Sequence, residues 1–132
     1  LRSKPVYRVT RSLVLASPTH WLFIITSPPY EHGLASDPAI DAVMAAGAFG
    51  QSVSLLFLED GLSYLTPLSE APKGQTDLSK LLKSLPLYDV NDVYYVESAA
   101  QSLPLETVLE CQPISVRAVG DLVTAATHVV TF

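Results

Sequence analysis

Four side chains in predicted loops have the chemistry for catalysis or binding: Tyr30, His32, Glu97 and Cys111. Cys111 is the chain's single cysteine and precedes a predicted helix, whose dipole can stabilise a thiolate. His32 follows Glu31, a pairing suited to acid–base chemistry near neutral pH. Tyr30 lies in the same loop, and Glu97 directly follows a predicted strand with no local capping role. These four residues are therefore the candidates for a site at the strand ends.

Several common chemistries lack their sequence signatures. The loop from Ser27 to Ser36 holds one glycine and two prolines, which is a poor composition for a phosphate-binding loop. No G-x-S-x-G motif follows a predicted strand, so a serine nucleophile elbow is not expected. His20, His32 and His128 have no metal-ligand spacing, and His20 and His128 are expected to be structural, at strand entrances. We therefore expect neither a metal nor a cofactor.

The segment 21–65 predicts one strand–helix–strand unit. Trp21–Ile25 and Val53–Leu58 are nearly continuous apolar runs, as found in strands that are covered on both faces of a parallel sheet. Between them, Asp37 is a good N-cap and Pro38 suits the first helical position. Two parallel strands joined by a helix require a crossover connection, which indicates an α/β fold.

The rest of the chain continues this alternation. It predicts a three-layer α/β/α fold with a five-stranded, mainly parallel sheet, whose ligands would bind at the carboxyl ends of the strands. The loops at those ends are 27–36, 59–62, 97–103 and 110–114. Asp60 is predicted to cap a helix, and Thr76 is predicted to cap the next one, whose apolar face is Leu78, Leu81, Leu82 and Leu85. Three further strands are predicted at Val93–Val96, Thr107–Leu109 and His128–Phe132. Between these strands the sequence predicts a turn or short helix at Glu97–Leu103 and a last helix that starts at Pro113 and Ser115.

Composition and charge limit the class of protein. The 132 residues are 48% hydrophobic and 16% charged, which favours an oligomer that covers apolar surface, and no apolar run is long enough to span a membrane. One cysteine suits a reducing compartment, so a cytoplasmic protein is expected. Residues 1–20 form a basic segment with four basic residues and no acidic one, interpreted as a strand, an arm or a leader. Residues 21–132 form one α/β domain with four basic and thirteen acidic residues, which disfavours direct nucleic-acid binding.

Several motifs in this order and spacing resemble the DsrE/DsrF family of small sulfur-relay proteins, and in particular its TusC/DsrF branch. The resemblance covers about residues 21–132 and leaves the basic segment unmatched. The motifs are SPP…G at 27–33, IDAVMAA at 40–46, LLFLEDG at 55–61, LPLYDV at 85–90, E…P at 110–113 and VVTF at 129–132.

The resemblance implies a subunit of a complex with TusD/DsrE-like and TusB/DsrH-like partners, which passes sulfur to a TusE/DsrC-like acceptor. The pathway would be 2-thiouridine synthesis in tRNA or sulfur oxidation. The family's carrier cysteine follows the third strand, and Val96 falls at about that position here. The resemblance therefore implies a non-carrier subunit without catalysis of its own. Two alternatives stay open: a self-sufficient sulfur-handling enzyme that uses Cys111, and a homo-oligomeric binding or regulatory protein.

Overall fold

The fold is built on a five-stranded parallel sheet, as predicted. A computed structural model describes residues 19–67, 70–97 and 107–132, so residues 1–18 of the basic segment and most of the predicted turn at 97–103 lie outside the described residues. All paired strands run parallel, in the order β4-β3-β2-β1-β5. The strands are β1 (His20–Ile25), β2 (Ser52–Phe57), β3 (Asp92–Tyr95), β4 (Gln112–Pro113) and β5 (His128–Thr131).

Helices cover both faces of the sheet and complete the three layers. The helices are α1 (Pro38–Ala48), α2 (Leu78–Ser84) and α3 (Val116–Ala125), and 3-10 turns span Glu59–Tyr64 and Leu85–Tyr88. Both α1 and α2 pack on the larger apolar cluster, whereas α3 packs on a smaller cluster around Leu22, Ile24 and Leu56. Within the described ranges, no helix is long and apolar enough to cross a membrane.

The alternation of side chains along β1 explains how one strand serves both layers. Successive side chains of a strand point to opposite faces. Phe23 and Ile25 accordingly join the larger cluster, whereas Leu22 and Ile24 join the smaller one. Every residue from Leu22 to Ile25 is buried, so both faces must be apolar. This requirement produces the continuous apolar run seen in the sequence.

The predicted start of α1 is confirmed. The Oδ1 atom of Asp37 accepts a hydrogen bond from the backbone N–H of Ile40 at 3.1 Å, and Pro38 occupies the first helical position. Ile40, in the first turn of the helix, is buried in the larger cluster. The helix ends at Ala48, and Gly50 follows with φ of +77°, a left-handed conformation that glycine adopts without steric cost.

Two predicted helix caps are wrong. The turn at Glu59–Tyr64 follows Leu58 without a side-chain cap, so Asp60 lies inside its first turn. Helix α2 is capped by Asp77, whose Oδ1 atom accepts the N–H of Ser79 at 3.1 Å, and not by Thr76. The Thr76 hydroxyl is used elsewhere, because it donates to the carbonyl of Ala35 at 2.8 Å. Thr76 thus makes a long-range contact, and the neighbouring Asp77 provides the local cap.

The fourth strand is also displaced from its prediction at Thr107–Leu109. The observed β4 pairs Gln112 with Tyr94 and contains Pro113, which was predicted to open the last helix. Leu109 is buried by packing on the larger cluster, not by strand pairing. An edge strand tolerates the missing N–H of a proline. The predicted start of α3 at Ser115 is confirmed, since its hydroxyl accepts the N–H of Ala118 at 3.2 Å.

Candidate functional site

A cavity of about 150 Å³ lies at the carboxyl end of β1, where the sequence predicted a site. Its walls come from the end of β1, the loop 27–36, the start of α1, the 3-10 turn after β2, the segment 75–78 and the last residue of the chain. Tyr30 and His32 both line this cavity, so two of the predicted candidates are brought together. The lining also contains Ile25, Glu31, Gly33, Asp37, Ala39, Tyr64, Gln75, Thr76, Leu78 and Phe132.

Hydrogen bonds fix the loop 27–36 against the start of α2. Tyr30 has φ of +64°, a left-handed conformation that is costly for a bulky side chain. Its hydroxyl accepts the N–H of Leu78 at 3.0 Å and donates to the carbonyl of Thr76 at 3.2 Å. The N–H and the hydroxyl of Thr76 both donate to the carbonyl of Ala35, at 3.0 and 2.8 Å. The cavity wall is therefore held in place by interactions within the chain.

Asp37 and Tyr64 form a hydrogen-bonded pair in the cavity wall. The Tyr64 hydroxyl donates to Asp37 Oδ2 at 2.7 Å, while Oδ1 of the same carboxylate caps α1. Tyr64 is 4% exposed. Burial raises the pKa of its phenol, and the hydrogen bond to Asp37 and the negative charges of Asp37 and Glu31 add to this effect. Tyr64 is therefore a neutral donor at physiological pH.

His32 and Glu31 lie on the solvent side of the cavity. His32 Nε2 is 3.3 Å from Glu31 Oε1, with 68% and 43% of the two side chains exposed. Among the described residues that line the cavity, none is lysine or arginine. The wall thus carries two carboxylates, Glu31 and Asp37, with His32 as its one titratable base. A role for His32 as an acid–base group stays a prediction.

Glu97 and Val96 lie outside the cavity. Glu97, the second residue after β3, is exposed, and its charge contributes to the raised pKa of Tyr95, whose main cause is desolvation. Val96 is half-buried against the smaller cluster, and its N–H donates to the carbonyl of Phe57 at 3.3 Å. The three predicted binding residues therefore do not lie together: Tyr30 and His32 line the cavity, and Glu97 does not. A binding role for Glu97 stays a prediction.

Cys111 lies before an edge strand rather than before a helix. Four residues, which include the edge strand, separate it from Val116, where α3 begins, so it is not at the helix N-terminus, and a reactive role for Cys111 stays a prediction. Its side chain is half-buried against the larger cluster, with Sγ 3.9 Å from Thr107 Oγ1. Burial and the charge of Glu110 raise the pKa of the thiol, and the hydrogen bond with Thr107 acts in the opposite direction.

Alkylation of Cys111 is expected to be slow at neutral pH. A raised pKa leaves less thiolate than an unperturbed cysteine has, and the thiolate is the nucleophile. The rate of reaction with iodoacetamide should therefore rise with pH, with a midpoint above the ordinary value of 9.0. The urea-unfolded chain is the control and should react faster at pH 7. A midpoint below that of the unfolded chain would contradict the assigned environment.

The two other histidines lie at the opposite edge of the sheet, as predicted. His20 contacts the hydroxyls of Ser52 and Ser54 through its two ring nitrogens, at 2.7 and 2.9 Å. The ring of His128 stacks on Trp21 with centroids 4.3 Å apart and an interplanar angle of 10°. Over the ranges 19–67, 70–97 and 107–132, His, Cys, Asp and Glu form no group of three or more that could hold a metal.

Sequence reasoning missed two aromatic residues of the cavity, Tyr64 and Phe132. Asp37 was explained by capping alone, although its second oxygen accepts from Tyr64. The position of Tyr64 in the turn after a buried strand was visible in the sequence. From sequence alone, however, a tyrosine at this position cannot be distinguished from an ordinary core residue. Only the fold brings Tyr64 next to the loop after β1.

Comparisons with known proteins agree with this architecture. The model of the DsrE/DsrF-like family matches residues 20–132. A protein TusC homolog of Pseudomonas aeruginosa is 38% identical over 74 residues, which are 55% of this chain and 62% of that protein, so the match spans less than two thirds of this relative. A protein TusC homolog of Vibrio parahaemolyticus is 29% identical over 116 residues, 83% of this chain and 96% of that protein.

A solved structure shares the fold. The crystal structure of the YchN protein from E. coli superimposes with a TM-score of 0.66 at 13% identity, covering 88% of this chain and 100% of that one. At this identity the likeness concerns the architecture alone. The family match over most of the chain carries the assignment. The chain belongs to the DsrE/DsrF-like family.

Proposed function

We propose that this chain is a non-carrier subunit of a sulfur-relay complex. The family match and the two TusC homologs support a role in sulfur relay. One observation carries the non-carrier assignment: the residue directly after β3, about where the family has its carrier cysteine, is Val96. A persulfide forms on a thiolate sulfur, and valine has none.

The location of Cys111 supports the same assignment. Its side chain packs on the larger cluster, whereas Val96 packs on the smaller one, so the sheet separates the two positions. The raised pKa of Cys111 also reduces its thiolate fraction at neutral pH. The thiol of this chain is therefore neither placed nor activated to replace a carrier cysteine after β3.

The partners would be a TusD/DsrE-like subunit that carries the sulfur, a TusB/DsrH-like subunit and a TusE/DsrC-like acceptor in the cytoplasm. Helix α3 has no buried residue, and Val116, Val123 and Val129 are exposed by 76%, 41% and 44%. Apolar surface of this kind suits an interface. A subunit interface could shield a partner's persulfide from solvent, in thiouridine synthesis or in sulfur oxidation.

Co-expression with the two partner subunits tests this proposal. The three chains should elute as one complex, and the Cys111→Ser variant should transfer sulfur to the acceptor as well as the wild type. Replacement of the partner's carrier cysteine is the matched control and should abolish transfer. Loss of transfer in Cys111→Ser would instead indicate an enzyme that uses its own thiol. A stable homo-oligomer that does not bind the partners would indicate a separate binding or regulatory protein.

A further inference from the structure

We propose that the cavity at the carboxyl end of β1 binds a small organic amine in its cationic form, with an apolar body about the size of one ring. This inference goes beyond the sulfur-relay role and does not depend on it. It rests on the volume of the cavity, its aromatic and apolar walls, the sign of its charges and the hydrogen-bonding capacity that its walls leave free.

The volume sets the size of the ligand. The cavity measures about 150 Å³. An engineered apolar cavity of about the same volume binds benzene. The part of a ligand that this space can enclose is therefore about one ring with a short substituent.

Apolar and aromatic side chains provide the surface for the body of the ligand. Ile25, Ala39 and Leu78 are buried residues of the larger cluster that reach the cavity, and Phe132 lies beside them. The rings of Tyr30 and Tyr64 add aromatic surface. Aromatic faces attract cations, and this attraction grows when water is excluded.

The charges of the wall favour a cation. Glu31 and Asp37 line the cavity without a lysine or arginine among the described lining residues, and His32 is 3.3 Å from Glu31. The start of α1 could attract an anion, but Asp37 already accepts the N–H of Ile40 at that end. The negative field also contributes to the raised pKa of the Tyr64 phenol. The two carboxylates would repel an anionic ligand, and the described lining residues offer it no lysine or arginine.

The two tyrosine hydroxyls in the wall have no proton left to donate to a ligand. The Tyr64 proton is committed to Asp37, and the Tyr30 proton is committed to the carbonyl of Thr76. The Tyr30 oxygen already accepts the N–H of Leu78, whereas the Tyr64 oxygen and the carboxylate of Asp37 retain lone pairs. A ligand that donates hydrogen bonds therefore complements these oxygen atoms, and an ammonium group has donors only.

The site is formed before any ligand arrives. The contacts of Tyr30 and Thr76 hold the loop 27–36 against α2, and the loop includes a left-handed tyrosine that these contacts maintain. A preformed wall lowers the entropy cost of binding, because few groups must be ordered.

Three probes of equal ring size and different charge test the proposal: benzylamine, benzyl alcohol and benzoate. Each is titrated into the full chain at pH 7, and the backbone amide signals of Tyr30, Gly33 and Leu78 are followed by NMR. Benzylamine should shift these signals and bind about tenfold more tightly than benzoate. Benzyl alcohol should bind between the two. Equal or tighter binding of benzoate or benzyl alcohol, or no shift at these amides with benzylamine, would overturn the proposal.

A matched pair of variants tests whether the charge of Glu31 causes the preference for the cationic probe. Glu31→Gln should weaken benzylamine binding about fivefold and leave benzyl alcohol binding unchanged, because only the cation interacts with the lost charge. Glu110→Gln removes an exposed carboxylate away from the cavity lining and should change neither. Equal benzylamine affinity in Glu31→Gln and the wild type would contradict the role of the negative wall. These binding measurements need no partner subunit, so their outcome is independent of the sulfur-relay proposal.

Discussion

Replacement of Gly61 by alanine is expected to lower the free energy of unfolding by about 3 kcal/mol or more. A Cβ atom at this position would overlap the carbonyl oxygen of Ile25 and lie 2.8 Å from its carbonyl carbon. Both atoms belong to the backbone at the end of β1, where the N–H of Leu58 also binds the Ile25 carbonyl at 3.0 Å. A side chain could rotate away, but this backbone cannot move without disturbing the junction of β1 and β2.

Urea unfolding followed by circular dichroism measures this effect. Gly120→Ala is the control, because a Cβ atom at Gly120 would have no neighbour within 4 Å. Gly120 lies inside α3, where alanine is favoured over glycine by about 0.8–1 kcal/mol, so the control should be slightly more stable than the wild type. If Gly61→Ala were as stable as the wild type, the close approach of the turn to β1 would be wrong.

Replacement of Asp37 by alanine should cost about 2–4 kcal/mol of stability. The change removes the cap that accepts from Ile40 N–H at 3.1 Å, which is worth about 1 kcal/mol. It also removes the acceptor 2.7 Å from the Tyr64 hydroxyl, and Tyr64 is only 4% exposed. A buried hydroxyl without a partner adds a penalty of about 1–3 kcal/mol.

Two further variants separate these contributions. Asp37→Asn keeps a side-chain oxygen for the cap and should therefore lose less stability than Asp37→Ala. In a Tyr64→Phe background, Asp37→Ala should cost only the cap, because no hydroxyl is left without an acceptor. Chemical denaturation of the four combinations gives the coupling energy. A cost of Asp37→Ala that is the same in both backgrounds would show that the Tyr64 contact contributes nothing.

The parts of the fold that were predictable are those with a strong local cause. Burial on both faces required apolar runs in β1 and β2, and the pair Asp37–Pro38 marked the start of α1. Two of the errors concern residues that make distant contacts. Thr76 bonds Ala35 instead of capping α2, and Leu109 is buried by packing without forming a strand. No spacing within the sequence reveals such contacts.

Part of the cavity lining could be predicted from the sequence, and part could not. As a rule, parallel sheets bind ligands at their carboxyl ends, and Tyr30 and His32 line a cavity at that end of β1; their binding role stays a prediction. The rule does not tell which strand ends meet, so Glu97 was grouped with them although it lies outside the cavity lining. Tyr64 and Phe132 come from distant parts of the chain, and only the order of the strands brings them together.

Intact-mass spectrometry of the assembled complex, after treatment with a sulfane-sulfur donor, tests the non-carrier role most directly. Our account predicts one additional sulfur atom on the TusD/DsrE-like partner and none on this chain, because Val96 has no thiol and Cys111 is half-buried with a raised pKa. The Cys111→Ser complex should give the same masses. An additional sulfur on this chain that disappears in Cys111→Ser would contradict the account.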